Sequence, residues 1–387
     1  MRITHIVLSC NAYNDYWNYQ ENCIPKYNRI AGHDVTVITV KESLDSGTGK
    51  YYIDPRDEYF DDNGVKVIRL HKILSQRSRL IYKLRIYKGL YECLIQENPD
   101  CIFVHGIQFL DILHVVKYAK RKKVKIVADC HEDFNNSAKN LFSRWLVHGI
   151  LWKTCARLIE PYVSVFWGTL PVRCTFLKEV YGIPADKVKL LVMGAEDEKV
   201  QEALAERSID RIRAEYGFGP NDFIVLSAGK LDGQKASVLD LMEAINEIEY
   251  DNIKFLFVGS IDDRFRSRFS NNLTNRVIYA GWQDSESLYK HMGAADLIVF
   301  PGSHSVLWEQ AVALGKPCLF RKYQGIDHVD LGGNCLFLTE NTRTEMERMI
   351  IDLYENRTKL DEMGRVAQAK GKIVFSYKNI AARSIEV

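Results

Sequence analysis

Three short segments carry residues whose types and spacing could do chemistry. Gly229-Lys230-Leu231-Asp232-Gly233-Gln234-Lys235 follows an apolar run, FIVLSA, and precedes a helical pattern that begins near Ser237. Backbone N–H groups in a turn, a helix N-terminus and two point cations are the parts that hold a diphosphate. The stretch VFPGSHSVLWEQAVALGKPC, residues 299–318, breaks a strand at Pro301-Gly302 and places Ser303, His304 and Ser305 before an apolar helix. A helix beginning near Ser305 would present unsatisfied N–H groups, with Ser303 or Ser305 as its cap. Cys130-His131-Glu132-Asp133 follows the strand-like VKIVAD, where an imidazole beside two carboxylates can orient a hydroxyl or move a proton. His105-Gly106, after CIFV, is a weaker candidate of the same kind. Each has a plain structural reading too: solvated loop lysines, a capped helix, a histidine that only packs.

The elements that position these residues alternate. RITHIVLSC, HDVTVITV, VKVIRLH, DCIFVHG and VKIVADCHE are short, β-branched and nearly continuous in apolar residues. That is the pattern of parallel strands buried on both faces. Amphipathic stretches such as YKLRIYKGLYECLIQENP and DILHVVKYAKRKK lie between them. A second set follows: FIVLSAGKLDG, IKFLFVGS, RVIYAG, DLIVFPG and PCLFR as strands, SVLDLMEAINEI and SESLYKHMGAA as helices. Strand–helix alternation repeated in two halves predicts an α/β protein of two doubly wound domains. Their ligands are expected just after strands, in a cleft between the halves.

Composition narrows the class. At 387 residues the chain exceeds a single core, so two domains are expected. A formal charge of +2 argues against a general polyanion binder, and no nucleic-acid partner is expected. The nine cysteines are scattered, odd in number and free of any C-x-x-C, which reads as reduced thiols of a cytoplasmic protein rather than disulfides or zinc. MRITHIVLSC reads as a first strand, not a signal peptide. No run reaches the roughly 18 apolar residues that a membrane span needs.

Taken in order, these segments resemble the GT-B glycosyltransferases, family 4, the retaining group 1 enzymes of surface polysaccharide synthesis. SAGKLDGQKAS is similar to that family's VGRLxxxKG and FLFVGS to its LVGxG. VIYAGWQDSESLYKHMGAADLIVFP is similar to its F-x-G…L-x-x-x-Y-x-x-A-D-x-x-V-x-P run, and EQAVALGKP to its E-A-M-A-x-G-x-P. NYQENCIPKYNRIAGHDVTVIT resembles the amino-terminal helix ending in GHEVTVIT, and FSYKNIAARSIEV the terminal helix that crosses back to the first domain. The resemblance implies an acceptor-binding Rossmann-like domain over 1–196, a donor-binding one over 197–372 and a returning helix over 373–387.

It also implies roles. The donor would be a nucleotide diphosphate sugar, UDP- or GDP-linked, held by Gly229, Lys230, Lys235, Ser303, His304, Ser305 and Val306, with Trp282 near the base. The family carries two glutamates eight residues apart in this loop. No acidic residue lies between Asp296 and Glu309, so the first is absent, and Ser303 and His304 stand in its place. The second, which holds the ribose, falls on Gln310 by spacing and on Glu309 by chemistry; successive helical residues point about 100° apart, so only one can face the ligand. Catalysis would rest on His131, Lys230 and Lys235, with no covalent nucleophile, metal or other cofactor.

On the acceptor side the candidates are His105, Glu132, Asp133, Tyr16 and Trp17. The acceptor would be a glycan or a polyprenyl-diphosphate-linked glycan. The basic, aromatic stretch 69–91 suggests peripheral contact with the inner face of the cell membrane. The stretch 141–159 reads as core. Two other functions fit the same fold: a degenerate homologue without turnover, motivated by the missing glutamate, and a sugar-nucleotide epimerase.

Overall fold

The structure is a computed structural model that describes residues 1–45, 50–73, 84–134 and 143–386. The chain forms two compact units: Met1–Val192 together with Ile380–Val387, and Met193–Asn379.

The strands of the first unit are β1 (Arg2–Val7), β2 (Asp34–Val40), β3 (Glu42–Leu44), β4 (Tyr51–Ile53), β5 (Glu58–Phe60), β6 (Lys66–Leu70), β7 (Cys101–His105), β8 (Lys125–Cys130), β9 (Val163–Gly168) and β10 (Val188–Leu190). Eight form one sheet in the order β10-β9-β8-β7-β1-β2-β6-β5, parallel except where β5 runs against β6. Strand β7 is buried at every residue, which is why it reads as a continuous apolar run. The order reverses between β1 and β7, and in open α/β sheets the carboxyl ends of strands at such a reversal form the binding crevice. The loops after β1, β7 and β8 all emerge at that end. The helix Tyr377–Ile385 closes this unit: Asn28 and Trp167 donate to the carbonyls of Ala381 and Ser384 at 3.2 and 3.1 Å, and Lys125 Nζ to that of Ile385 at 2.6 Å.

The second unit holds β11 (Phe223–Ala228), β12 (Ile253–Val258), β13 (Val277–Tyr279), β14 (Leu297–Phe300), β15 (Cys318–Arg321) and β16 (Cys335–Leu338). All are parallel, in the order β13-β12-β11-β14-β15-β16. The reversal falls between β11 and β14, the two strands whose following loops carry Lys230, Lys235, Ser303 and His304. Helices Ser237–Glu247 and Ser285–Ala294 lie where the periodicity places them, and the first buries Val238, Leu239, Leu241, Met242 and Ile245.

The basic stretch 69–91 is not a continuous helix. Among its described residues a helix starts at Leu90, after Gly89 in the left-handed region (φ 91°), and Arg85 is also left-handed (φ 56°). Nor are its first cations a solvated face. The Arg69 side chain is 1 % exposed, pairs with Asp15 and Asp54, and donates to the carbonyls of Tyr13 and Val40; Lys72 pairs with Glu42 at 3.3 Å. Residues 74–83 of that stretch, and 141–142 of the second, lie outside the described residues. From 146 to 159 the second stretch is mixed: Trp152, Cys155, Ala156 and Ile159 are core, while Leu146, Ile150 and Leu158 are exposed. Among the described residues no helix is long and apolar enough to cross a membrane.

Candidate functional site

In the second unit the loops after β11 and β14 meet. Gly229 leaves β11 at φ 119° and Gly259 leaves β12 at φ 149°, and a Cβ on Gly259 would collide with the Gly229 carbonyl. Only glycine lets the two loops approach this closely. Asp232 then turns the chain, its carboxylate accepting from Gln234 N at 2.9 Å and its carbonyl from Lys235 N at 3.0 Å. The turn brings Lys235 Nζ back to within 3.0 Å of the place a Gly229 Cβ would take. Its stem lies against Gly302, and the Ser303 amide donates to the Gln234 carbonyl at 3.1 Å. Burial lowers the Lys235 pKa, with Asp232 partly opposing the shift. Lys230 is exposed.

The helix after this loop is short, Leu307–Ala313, with Val306 at its N-cap and no side-chain cap. The caps expected from Ser303 and Ser305 do not form, because the turn closes through the main chain: Trp308 N donates to the Ser305 carbonyl at 3.0 Å. Glu309 points inward and is fully buried. One of its oxygens lies 3.0 Å from His304 Nε2 and 2.8 Å from His328 Nε2. Burial would raise the Glu309 pKa, but the two imidazoles outweigh it and hold the carboxyl below its ordinary range. With its carboxylate spent on these histidines, Glu309 cannot also hold a ribose. Gln310, one residue on, is 4 % exposed. Trp282, in contrast, stands 64 % exposed after β13.

In the first unit a relay of buried groups runs beneath the strand ends. Asn28 Nδ2 donates to the Ala381 carbonyl, which turns Asn28 Oδ1 toward His5 Nε2 at 3.1 Å. His5 therefore carries its proton on Nε2. Burial and the nearby His105 lower its pKa, so it is neutral and its Nδ1 is an acceptor. That nitrogen lies 3.0 Å from His105 Nε2, and His105 Nδ1 lies 2.8 Å from Asp129 Oδ2. Both His105 nitrogens are thus engaged, one by His5 and the other by the Asp129 carboxylate. Gly106 N completes that carboxylate at 2.9 Å. His131 Nε2 leans on the same Asp129 Oδ2 at 3.4 Å, with its side chain 32 % exposed. Burial alone would lower the His131 pKa; Asp129 overrides this and raises it.

His105, read above as an acceptor-side residue, is 3 % exposed and spent on this relay, so it acts on Asp129 and not on a ligand. Asp133 is likewise buried, 3.4 Å from Arg173 Nε. Glu132 lies partly buried beside the Cys130 thiol at 3.6 Å, and burial raises its pKa. Tyr16 is exposed, and Trp17 is half-buried edge-on to Tyr19 at 5.2 Å. Sequence reasoning missed Asp129, His5, Asn28, Arg173 and His328. Asp129 was legible as a charge inside a buried strand; the other four carry no local signal.

Comparison with known proteins fits this geometry. Residues 208–370 match the family model described as glycosyl transferases group 1. An uncharacterized glycosyltransferase of Methanocaldococcus jannaschii, MJ1607, is 23 % identical over 337 residues, covering 76 % of this chain and 73 % of that one. Among solved structures, Anabaena Alr3699/HepE in complex with UDP superposes with a TM-score of 0.70 at 16 % identity, over 99 % of this chain and 98 % of that one. UDP-GlcNAc 2-epimerase of Neisseria meningitidis, bound to UDP-GlcNAc, superposes with a TM-score of 0.61 at 15 % identity, over 100 % and 99 %. The chain is thus an α/β protein of the GT-B fold, and residues 208–370 of its second unit are similar to the group 1 glycosyl transferases.

Proposed function

We propose that the protein is a retaining glycosyltransferase that moves a sugar from a UDP- or GDP-linked donor to a glycan or polyprenyl-diphosphate-linked acceptor, in the assembly of a bacterial surface polysaccharide at the inner face of the cell membrane. The observation that carries the reading is the meeting of Lys235 with the loop of Gly302 and Ser303 at the strand-order reversal of the second unit. A partly desolvated ammonium is suited to a diphosphate. The UDP bound in the HepE structure supports the same ligand class.

In this reading the bond from the anomeric carbon to the diphosphate oxygen breaks with its electron pair going to that oxygen. Lys235 and Lys230 stabilise the charge that grows there. The acceptor hydroxyl oxygen bonds to the anomeric carbon on the face the diphosphate leaves, and its proton passes to the departing phosphate oxygen. Gln310 holds the ribose through neutral hydrogen bonds. His131, aimed by Asp129, holds a sugar hydroxyl. No metal or other cofactor takes part in the transfer step.

The test is turnover of a panel of nucleotide sugars with isolated lipid-linked and soluble glycan acceptors, with the anomeric configuration of the product read by NMR. A retained configuration, lost with Lys235→Ala in a folded variant, bears the proposal out. An inverted product refutes the retaining mechanism. The epimerase likeness favours one rival: conversion of a UDP-sugar to its epimer with no acceptor present would establish that activity instead.

A further inference from the structure

A row of buried groups crosses the first unit from the returning helix to His131, and its polarity is set at the helix end. The Ala381 carbonyl only accepts, so Asn28 presents Nδ2 to it at 3.2 Å and Oδ1 to His5 at 3.1 Å. That amide oxygen also only accepts, so neutral His5 keeps its proton on Nε2 and leaves Nδ1 bare. His105 Nε2, 3.0 Å away, is then the donor of the next contact. Asn28, His5, His105 and Asp129 are all buried, so the row closes on protein groups.

The order of donors decides a charge. If His105 holds a single proton, on Nε2, its bare Nδ1 meets Asp129 Oδ2 at 2.8 Å, and two acceptors oppose each other unless one more proton lies between them. Whether nitrogen or oxygen holds that proton, His105 and Asp129 together carry no net charge. The reversed row gives a different count. With its proton on Nδ1, His5 would donate to His105, and His105 would donate from Nδ1 to an ionised Asp129. No extra proton is needed then, and the pair carries one negative charge.

His131 is placed to feel the difference, because its Nε2 lies 3.4 Å from the same Asp129 oxygen. The other charged groups that act on it are Glu21 of the helix Gln20–Ile30, Arg173 of the helix Pro171–Glu179 and the adjacent Glu132. All three are the same for either polarity. A negative pair holds the His131 imidazolium more firmly than an uncharged one. The charged ring can only donate a hydrogen bond, whereas the neutral ring can also accept one from a hydroxyl. The polarity of the row therefore selects which hydrogen bonds His131 offers at a given pH.

We propose that Asn28, anchored by the Ala381 carbonyl, is a positioning residue that keeps the His105–Asp129 pair uncharged and so sets the pH at which His131 takes up its proton. The returning helix thereby acts on His131 through intervening side chains.

The test is a pH titration of the His131 ring by NMR, on whole protein labelled with 15N-histidine and assigned with His131→Asn. Asn28→Ala frees His5 to reverse its proton. Its His131 midpoint should lie about 1 pH unit above that of wild type, the low end of the effect of one unmasked charge nearby. His5→Phe keeps a ring against Phe103 and His105 but offers His105 no acceptor, and should move the midpoint the same way. A general loss of stability does not shift the midpoint of a folded histidine. An unchanged or lower midpoint in either folded variant overturns the proposal. If neither variant folds, wild type decides: His105 must carry a proton on Nε2, and a bare Nε2 overturns the proposal. The meaning for transfer rests on the role given to His131 above, and the two fail separately. A midpoint that moves while the pH profile of kcat/KM stays put upholds the charge control and refutes that role.

Discussion

Gly302 lies directly against the stem of Lys235: a methyl group at Gly302 would stand 2.7 Å from Lys235 Cγ and 2.9 Å from its Cα and Cβ. The backbone of one loop therefore sets where the cation of the other is held. Gly302→Ala must move the lysine or lift the loop, at a cost of about 1–3 kcal/mol for overpacking. The expected result is weaker nucleoside diphosphate binding by calorimetry, with a melting temperature only a few degrees lower. Unchanged affinity would show that Lys235 does not reach the diphosphate.

Lys235→Ala removes the cation itself. Loss of about 10²–10³-fold in kcat is expected for a group that meets charge developing in the transition state. Burial lowers the Lys235 pKa, and the charged form is the one that binds phosphate. Diphosphate affinity should therefore fall as pH rises through that lowered value, before an ordinary lysine at about 10.4 would deprotonate. A titration of UDP and GDP affinity against pH, repeated with Lys230→Ala, separates the two lysines.

Asp129→Asn breaks a buried cluster and leaves His105, the Gly106 amide and His131 without the carboxylate they share. About 3–5 kcal/mol of stability should be lost at neutral pH. The Asp129 pKa is depressed: burial opposes this, but His105 and His131 prevail. Its contribution is therefore present above the unfolded value of about 3.9 and fades as pH falls toward the lower folded value. Urea denaturation of both proteins at neutral pH and below the unfolded value of about 3.9 should show the gap closing in acid. A gap that widens in acid would contradict the assignment.

The protonation of the relay can be read directly. Two-bond 15N–1H spectra of the histidines at neutral pH should show His5 as the Nε2–H tautomer. Asn28→Ala frees His5 to change tautomer and should alter that pattern. The same pattern in wild type and variant would mean that Asn28 does not set it.

Arg69→Ala addresses the basic stretch. The side chain is buried between Asp15 and Asp54, and Arg56 would remain to pair both carboxylates. The expected effect is a loss of about 3 kcal/mol in stability, near the low end for a broken buried pair. Binding to vesicles of anionic lipid, measured on the folded fraction by sedimentation, should not change.

What the sequence determined by itself is the architecture. Continuous β-branched runs separated by amphipathic stretches can bury both their faces only as parallel strands covered by helices, and the polar residues after FIVLSA, VKIVAD and DLIVF mark strand ends. Those signals are local, so they survive without neighbours. What the tertiary structure decided is which groups share a charge. Glu309 and Gln310 are adjacent in the chain, and the positions of His304 and of His328, 19 residues on, turn Glu309 into a buried anion. His5 and His105 lie 100 residues apart and meet because β1 and β7 pair in the sheet. Arg69 looks like a solvated cation until Asp15 and Asp54 surround it. A charge is stable inside a protein only when its partner arrives, and the partner's arrival is fixed by strand order and register, which no short stretch of sequence contains.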